Sequence, residues 1–467
     1  MNLYVRKRQF ILSTLFPIIY LAINMVANSD HYVENFMMAV FMSLVLLIGY
    51  DYHNSLFSIN NIFISVFYLL GVFLRYSINL LIPDTFQDFS TIHLEDSSSL
   101  HIKTVLILIL TFLFYRLGRL VKQRKVLRDY NEEKDVRYRE IDEKSELELN
   151  NQILLIAGYF MLWIIVYFYK IRYYSSAVSD SYNTFDYLIT TLTLYIKFVA
   201  YYELFVFLTQ KKYKALIIYL LYFVPEVMIS LLNAWKSTVV LEIMAFFIMS
   251  QLCNVKIKPK TYIISGIGFI FVYYFVTVYR WFLIHGGVLD ISLNSFVSYL
   301  KADFFVQFSD RFQIYDLLYY TFNAPETMLS YVRNNTPTIL SAFVKSIIPR
   351  VLWPGKGVVN NLSIVIKQYF FGHVGVYSNS NVTYLGTAYI SYGLFGSCIF
   401  SFLYGWLSEV LSLKNYSGYD CAKHVLLAIG VLQIYEGNIA GKVISLLLSL
   451  IITYFIRILC FKLVPST

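Results

Sequence analysis

The chain has 467 residues, of which 58% are hydrophobic and 14% charged, with a mean hydropathy of +0.59. Soluble domains carry about 45–50% apolar and about 25% charged residues, so this balance excludes a soluble enzyme and points to a polytopic membrane protein. The formal net charge of +9 is then a sign of sidedness rather than of nucleic-acid binding, because membrane proteins sort Lys and Arg by face.

Twelve apolar runs approach the roughly 20 residues that cross a bilayer. They cover 9–27, 36–50, 56–82, 100–117, 151–170, 186–209, 214–233, 237–252, 261–283, 384–411, 424–440 and 443–463. Several are short, and two suit re-entrant segments. The first follows Arg6, Lys7 and Arg8 with no small-residue cleavage site after it, the pattern of a signal anchor. The predicted fold is all-α, with about 12 transmembrane helices. Nine of them fall within 1–283 and three within 384–467.

Lys and Arg set the orientation. With the N-terminus inside, the cation clusters fall in inner segments: residues 6–8, the run from Arg116 to Lys144, Lys211 to Lys214, Lys256 to Lys260, Lys414 with Lys423, and Lys462. The loop from Pro83 to His101 is acidic instead. Both termini are therefore predicted to be cytoplasmic. The inner stretch 118–150 mixes both signs without an apolar stripe and reads as a solvated connector. The loop 284–383 is predicted to lie outside and is too long for a plain connector. Its segments 295–308, 311–332 and 338–348 are amphipathic and predict short helices on the membrane surface.

The motifs of soluble enzymes are absent from the sequence: there is no Walker loop, GxGxxG, HExxH or DxD. No metal or other cofactor is predicted. Cys253, Cys398, Cys421 and Cys460 form no CxxC pair, which argues against a disulfide framework or a zinc site. What stands out is a set of outward cations. Lys236 lies in LNAWKST, Arg280 in VTVYRWF, Arg311 in SDRFQIYD, and Arg350 and Lys356 in IPRVLWPGKG. Eight Lys and Arg fall between Arg280 and Lys367, on the side where the positive-inside rule disfavours them. Ionisable groups near membrane depth usually face a cavity or a partner. Grouped Arg and Lys suit a lipid diphosphate, since Arg offers paired donors to phosphate oxygens and Lys a point charge.

Plainer roles stand beside these. Arg280 can snorkel to the interface, Arg311 can pair with Asp310 or Asp316, and Lys236 can anchor a helix end. Glu242 suits an ion pair between helices or a catalytic base, and His373, in FFGHVGVYSNSN, a solvated loop position or an acid–base group. Arg75 and Lys197 lie within apolar runs and suit helix packing. Glu409 falls at the inner end of the tenth run, away from the outer cations.

Three segments resemble a known family. IPRVLWPGKG in the large loop, the stretch from Asn381 through Tyr392-Gly393-Leu394-Phe395-Gly396 to Gly405, and AWKST at Ala234 to Thr238 are together similar to elements of the Wzy-type O-antigen and repeat-unit polymerases. The likeness covers the layout of the chain and, in detail, about a third of it. It implies a metal-independent glycosyltransferase of the GT-C membrane class with a large helical periplasmic loop. Its substrates would be oligosaccharides on undecaprenyl diphosphate, and its active site would lie at the periplasmic face of the bacterial inner membrane. By the same likeness Arg280, Arg311, Arg350 and Lys356 would hold the diphosphates and Lys236 would match an earlier basic position. Asn381 and Tyr392 would belong to the substrate site, and His373, Glu242 or Tyr392 would assist the acceptor hydroxyl. Membrane lipids and a chain-length regulator are the implied partners. The related O-antigen ligases carry a His just before the Asn-x-x-Tyr/Leu segment, where this chain has Ser380. A ligase and a flippase for the same lipid-linked sugar remain the alternatives.

Overall fold

A computed structural model describes residues 3–27, 31–52, 58–81, 97–130, 195–205, 244–250, 293–302, 313–348 apart from 337, 383–412 and 420–434, with scattered positions such as Trp353. All the regular structure among them is helical. The chain divides into two compact units. The first holds Met1–Asp135, Ser309–Lys414 and Gly430–Leu446; the second holds Val136–Phe308, Asn415–Ile429 and Leu447–Thr467.

The first unit opens with α1 (Leu3–Ala27) and α2 (Tyr32–Leu44), the latter continuing as a π-helical segment over Val45–Gly49. Next come α3 (Ile59–Phe63), a π-helical stretch over Ile64–Leu74, and α4 (Arg75–Leu81), which run on as one rod. The Ser58 side chain starts the rod by accepting the Asn61 N–H, a group that a helix's first turn otherwise leaves unpaired. α5 (Ser98–Tyr130) follows. Gln9–Ala27, Tyr32–Gly49, Ile59–Leu81 and Ser98–Gln123 are long and apolar enough to cross a membrane, as the first four apolar runs predict. A fifth such stretch is Tyr384–Val410. The other seven runs lie wholly or partly outside the described residues. Phe10, Leu15, Phe16, Ile18 and Val26 of α1 stay exposed, as apolar side chains facing lipid do.

The core of this unit is aromatic. Phe41, Phe63, Phe67, Tyr68, Phe112 and Tyr115 are fully buried. Most of their contacts are edge-on or tilted, as between Phe41 and Tyr68 at 5.8 Å and Phe63 and Tyr115 at 5.0 Å, while Phe63 stacks on Phe67 at 5.2 Å.

Three short helices follow: α7 (Ile314–Asn323), α8 (Glu326–Asn335) and α9 (Ile339–Ile347). α6 (Leu293–Ala302) precedes them in the chain but belongs to the second unit. Within 311–332, α7 departs from the surface helix expected there, while α8 leaves Glu326, Thr327 and Tyr331 exposed. Pro325 divides that stretch, and every residue of α7 is buried. α7 docks on the π-helical stretch, where Gly71 has no side chain to hold Ile314 away. Asp316 pairs with Arg75 at 2.7 Å and accepts from Asn79 at 2.6 Å; Arg311, offered as its partner by the sequence, lies outside the described residues.

α10 (Tyr384–Ser412) reads in the sequence as one crossing, but its backbone doubles back. Gly393 has φ 67°, the left-handed region open chiefly to glycine. Tyr384 and Tyr404 stack at 4.9 Å, although twenty residues of straight helix would separate them by about 30 Å. Ser397 donates to the Leu385 carbonyl at 3.0 Å across the same bend. Gly396 lets the two arms close, since a Cβ there would meet the Ala388 carbonyl at 2.8 Å. The second arm lies against α5 through two reciprocal glycines: Gly405 sits on the Tyr115 carbonyl and Gly118 on the Phe402 carbonyl.

At the far end of that arm, Glu409 accepts from Arg119 (2.7 Å), Gln123 (2.9 Å) and Asn60 (3.2 Å), all near or below the surface. Arg119 also donates to the Gly49 carbonyl at 2.8 Å. Glu409 is thus committed to tying helices together.

In the second unit, α11 (Asp420–Ile434) begins in residues assigned there, and Cys253 and Cys421 are both buried and form no disulfide. Cys398, in the first unit, is buried and forms no disulfide either. Buried Lys197 lies over the Phe198 ring at 5.7 Å, a cation–π contact. Phe296 of α6 packs on Tyr274 at 5.0 Å.

Candidate functional site

The bend in α10 creates the most unusual surface of the first unit. A helix leaves its last four carbonyls without partners, and the first arm stops at Tyr392. Arg333 of α8 meets one of them, donating from Nε to the Ile390 carbonyl at 2.6 Å while Nη1 pairs with Glu326 at 2.5 Å. The C-terminal end of α7 is met likewise: Lys103 donates to the Phe322 carbonyl at 2.7 Å, and the Tyr389 hydroxyl at 3.4 Å. Cations suit such ends because the helix dipole is negative there. The Tyr389 and Phe322 rings also touch, at 4.9 Å. Arg333→Gln is expected to lower stability by about 0.5–1 kcal/mol, read by thermal unfolding in detergent, with the carbonyl left to water.

Beside this turn lies an open cleft of about 380 Å³. Thr338 and the α9 residues Leu340, Ser341, Val344 and Lys345 line it together with Trp353 and Tyr392. Its size falls within the range of about 300–1,000 Å³ typical of small-ligand sites. Two of its elements are fixed by hydrogen bonds. The Tyr392 hydroxyl accepts the Leu340 N–H at 3.2 Å, and the Thr338 hydroxyl accepts the Ser341 N–H at 3.3 Å as the N-cap of α9. Trp353 (39% exposed) and Tyr392 (41%) keep large parts of their rings open.

Tyr392 is therefore the one predicted site residue with a described position, and it lies in this cleft. Arg280, Arg311, Arg350, His373, Lys236, Lys356, Glu242 and Asn381 lie outside the described residues. Trp353 stands three residues from both Arg350 and Lys356 in IPRVLWPGKG, so that motif contributes directly to the cleft. The sequence reading singled out none of Trp353, Lys345 and Arg333 as site residues. The available signal was a Trp held between Pro349 and Pro354, where the backbone is stiff. Among the described residues no three His, Cys, Asp or Glu side chains gather closely enough to hold a metal ion.

Comparison with known proteins yields one match. A family model described as O-antigen polysaccharide polymerase Wzy matches residues 9–466, nearly the whole chain. No curated protein and no solved structure matches it. With spans long and apolar enough for a bilayer, an aromatic helical core and a family match from the first span to the last residues, the chain is an integral membrane protein belonging to the O-antigen polysaccharide polymerase Wzy family.

Proposed function

We propose that this protein polymerises oligosaccharide repeat units carried on undecaprenyl diphosphate into O-antigen or a related surface polysaccharide. The observation that carries this reading is the family match over residues 9–466. The family implies a glycosyltransferase-type polymerase acting on lipid-linked oligosaccharides in a membrane. The finer reading is a GT-C-type enzyme with about 12 spans in the bacterial inner membrane, both termini cytoplasmic. Nine spans within 1–283 and three within 384–467 would flank a periplasmic loop over 284–383 that carries the reaction. The distribution of Lys and Arg between loops supports that orientation.

In this scheme the growing chain leaves its lipid diphosphate and joins the terminal sugar of the incoming unit. Cleaving the sugar–phosphate bond develops negative charge on the departing diphosphate. Arg280, Arg311, Arg350 and Lys356, with Lys236, would stabilise that charge in a site of low dielectric constant, so no metal is needed. The acceptor hydroxyl then loses its proton to a base, for which His373 and Glu242 are the candidates by residue type. Tyr392, whose hydroxyl is already engaged by the Leu340 N–H, suits substrate placement better than proton removal. A chain-length regulator would act as a protein partner.

Complementation of a null strain, read on a gel of surface polysaccharide, tests the assignment. Arg350→Ala is expected to give a folded protein and to leave single repeat units in place of the long-chain ladder. A normal ladder removes Arg350 from the mechanism. In the null strain itself, long chains left on the carrier lipid would mark a ligase, and units trapped on the cytoplasmic face a flippase.

A further inference from the structure

We propose that the cleft lined by Trp353 and Tyr392 is a saccharide subsite, which seats a pyranose ring of the repeat unit beside its diphosphate. The inference rests on the polymerase reading above and names what this particular cleft holds.

The first support is the pair of open aromatic faces. Trp and Tyr rings carry negative charge on their faces and attract the weakly positive C–H groups that a pyranose presents along one side. Trp353 and Tyr392 line one cleft and are 39% and 41% exposed, with one face of Tyr392 stacked on Phe400 at 6.2 Å and the other left for a ligand. The second is the polar edge. The hydroxyls of Thr338, Ser341 and Tyr392 and the Lys345 side chain share the cleft with Leu340 and Val344. A sugar offers hydroxyls to such groups and C–H faces to the rings. An isoprenoid tail satisfies none of the polar groups and would bury them against hydrocarbon at a cost.

The third is preorganisation. The Leu340 N–H holds the Tyr392 phenol, and Thr338 caps the helix that forms the wall, so little ordering remains for a ligand to impose. The fourth is reach. Three residues of chain span at most about 10 Å, which places Trp353 within that distance of Arg350 and of Lys356 along the backbone. Sugar and diphosphate are joined by one bond in the substrate, so a sugar platform and a diphosphate clamp have to be neighbours. IPRVLWPGKG carries both residue types within ten consecutive residues.

The test uses full-length protein in nanodiscs. One probe is the repeat-unit oligosaccharide freed of its lipid by mild acid, and another is a polyisoprenyl diphosphate without sugar. Binding is measured by calorimetry and polymerisation with the intact lipid-linked unit. Trp353→Ala is expected to weaken oligosaccharide binding by about five- to tenfold and to raise KM in proportion, while polyisoprenyl diphosphate binding is unchanged. Trp353→Phe, which keeps an aromatic face, is expected to stay within about threefold of the wild type, and this guards against a folding defect. Unchanged oligosaccharide binding in Trp353→Ala overturns the subsite while normal polymerisation leaves the polymerase reading standing. Loss of polyisoprenyl diphosphate binding with the oligosaccharide unaffected assigns the cleft to the lipid tail and also overturns it. Trp353-dependent oligosaccharide binding by a wild-type protein that never elongates its substrate keeps the subsite and removes the polymerase.

Discussion

Asp316→Ala is expected to lower the unfolding free energy by about 3–5 kcal/mol, measured by denaturation in detergent. Arg75 is 0% exposed and its Nε lies 2.7 Å from the Asp316 carboxylate. Removing the acid takes from this buried guanidinium the carboxylate to which its Nε donates. The same pair need not add much stability in itself, because two charges must first be taken from water. The double variant Arg75→Met with Asp316→Leu is therefore expected to regain most of the loss, to within about 1 kcal/mol of the wild type. A double variant no better than Asp316→Ala would mean that the pair holds α7 by direction as well as by charge. The consequence for activity is local. α7 joins through Pro325 to α8, whose Arg333 holds the turn of α10, so a displaced α7 disturbs the cleft two helices away.

Gly405→Val is expected to cost about 3 kcal/mol or more. A Cβ at this position collides with the carbonyl group of Tyr115, coming within 2.8 Å of its carbon. That obstacle is backbone, fixed in α5, and no side-chain rotation removes it. The helices must separate, and the stacking of Tyr404 on Tyr384 and its 4.7 Å contact with Phe63 go with them. Gly158→Ala is the control. It meets nothing within 4 Å and is expected to change stability by under about 1 kcal/mol, in the stabilising direction. Similar melting curves for Gly405→Val and Gly158→Ala would refute the close approach of α5 and α10.

The first four spans were legible because apolarity over 20 residues is a local property. The runs at 9–27, 36–50, 56–82 and 100–117 coincide with described helices to within a few residues. Pairings were not legible. Arg75 and Asp316 stand 241 positions apart, and Arg119 and Glu409 stand 290 apart. The bend of α10 escaped for a different reason. Mean hydropathy has no direction, so two arms packed side by side score like one crossing. The signal lay in the glycines of Tyr392-Gly393-Leu394-Phe395-Gly396, which serve a left-handed turn and a close approach. Of the residues that line the cleft, Tyr392 was singled out in the sequence; the part of Trp353 emerged only from the cleft that α9 and Tyr392 share with it.

The doubled helix also implies an order of assembly. Its second arm, Leu394–Ser412, extends roughly 28 Å at about 1.5 Å per residue and can enter a bilayer as a unit. Its first arm, Tyr384–Tyr392, reaches only about 13 Å, too little to cross alone, and its end carbonyls need protein donors. The short arm can settle only where Phe63, Phe67 and Tyr404 already offer a wall and Arg333 a donor. Insertion of the long helices thus comes first and seating of the short arm last, so the cleft at its tip is finished only when the rest of the bundle has formed.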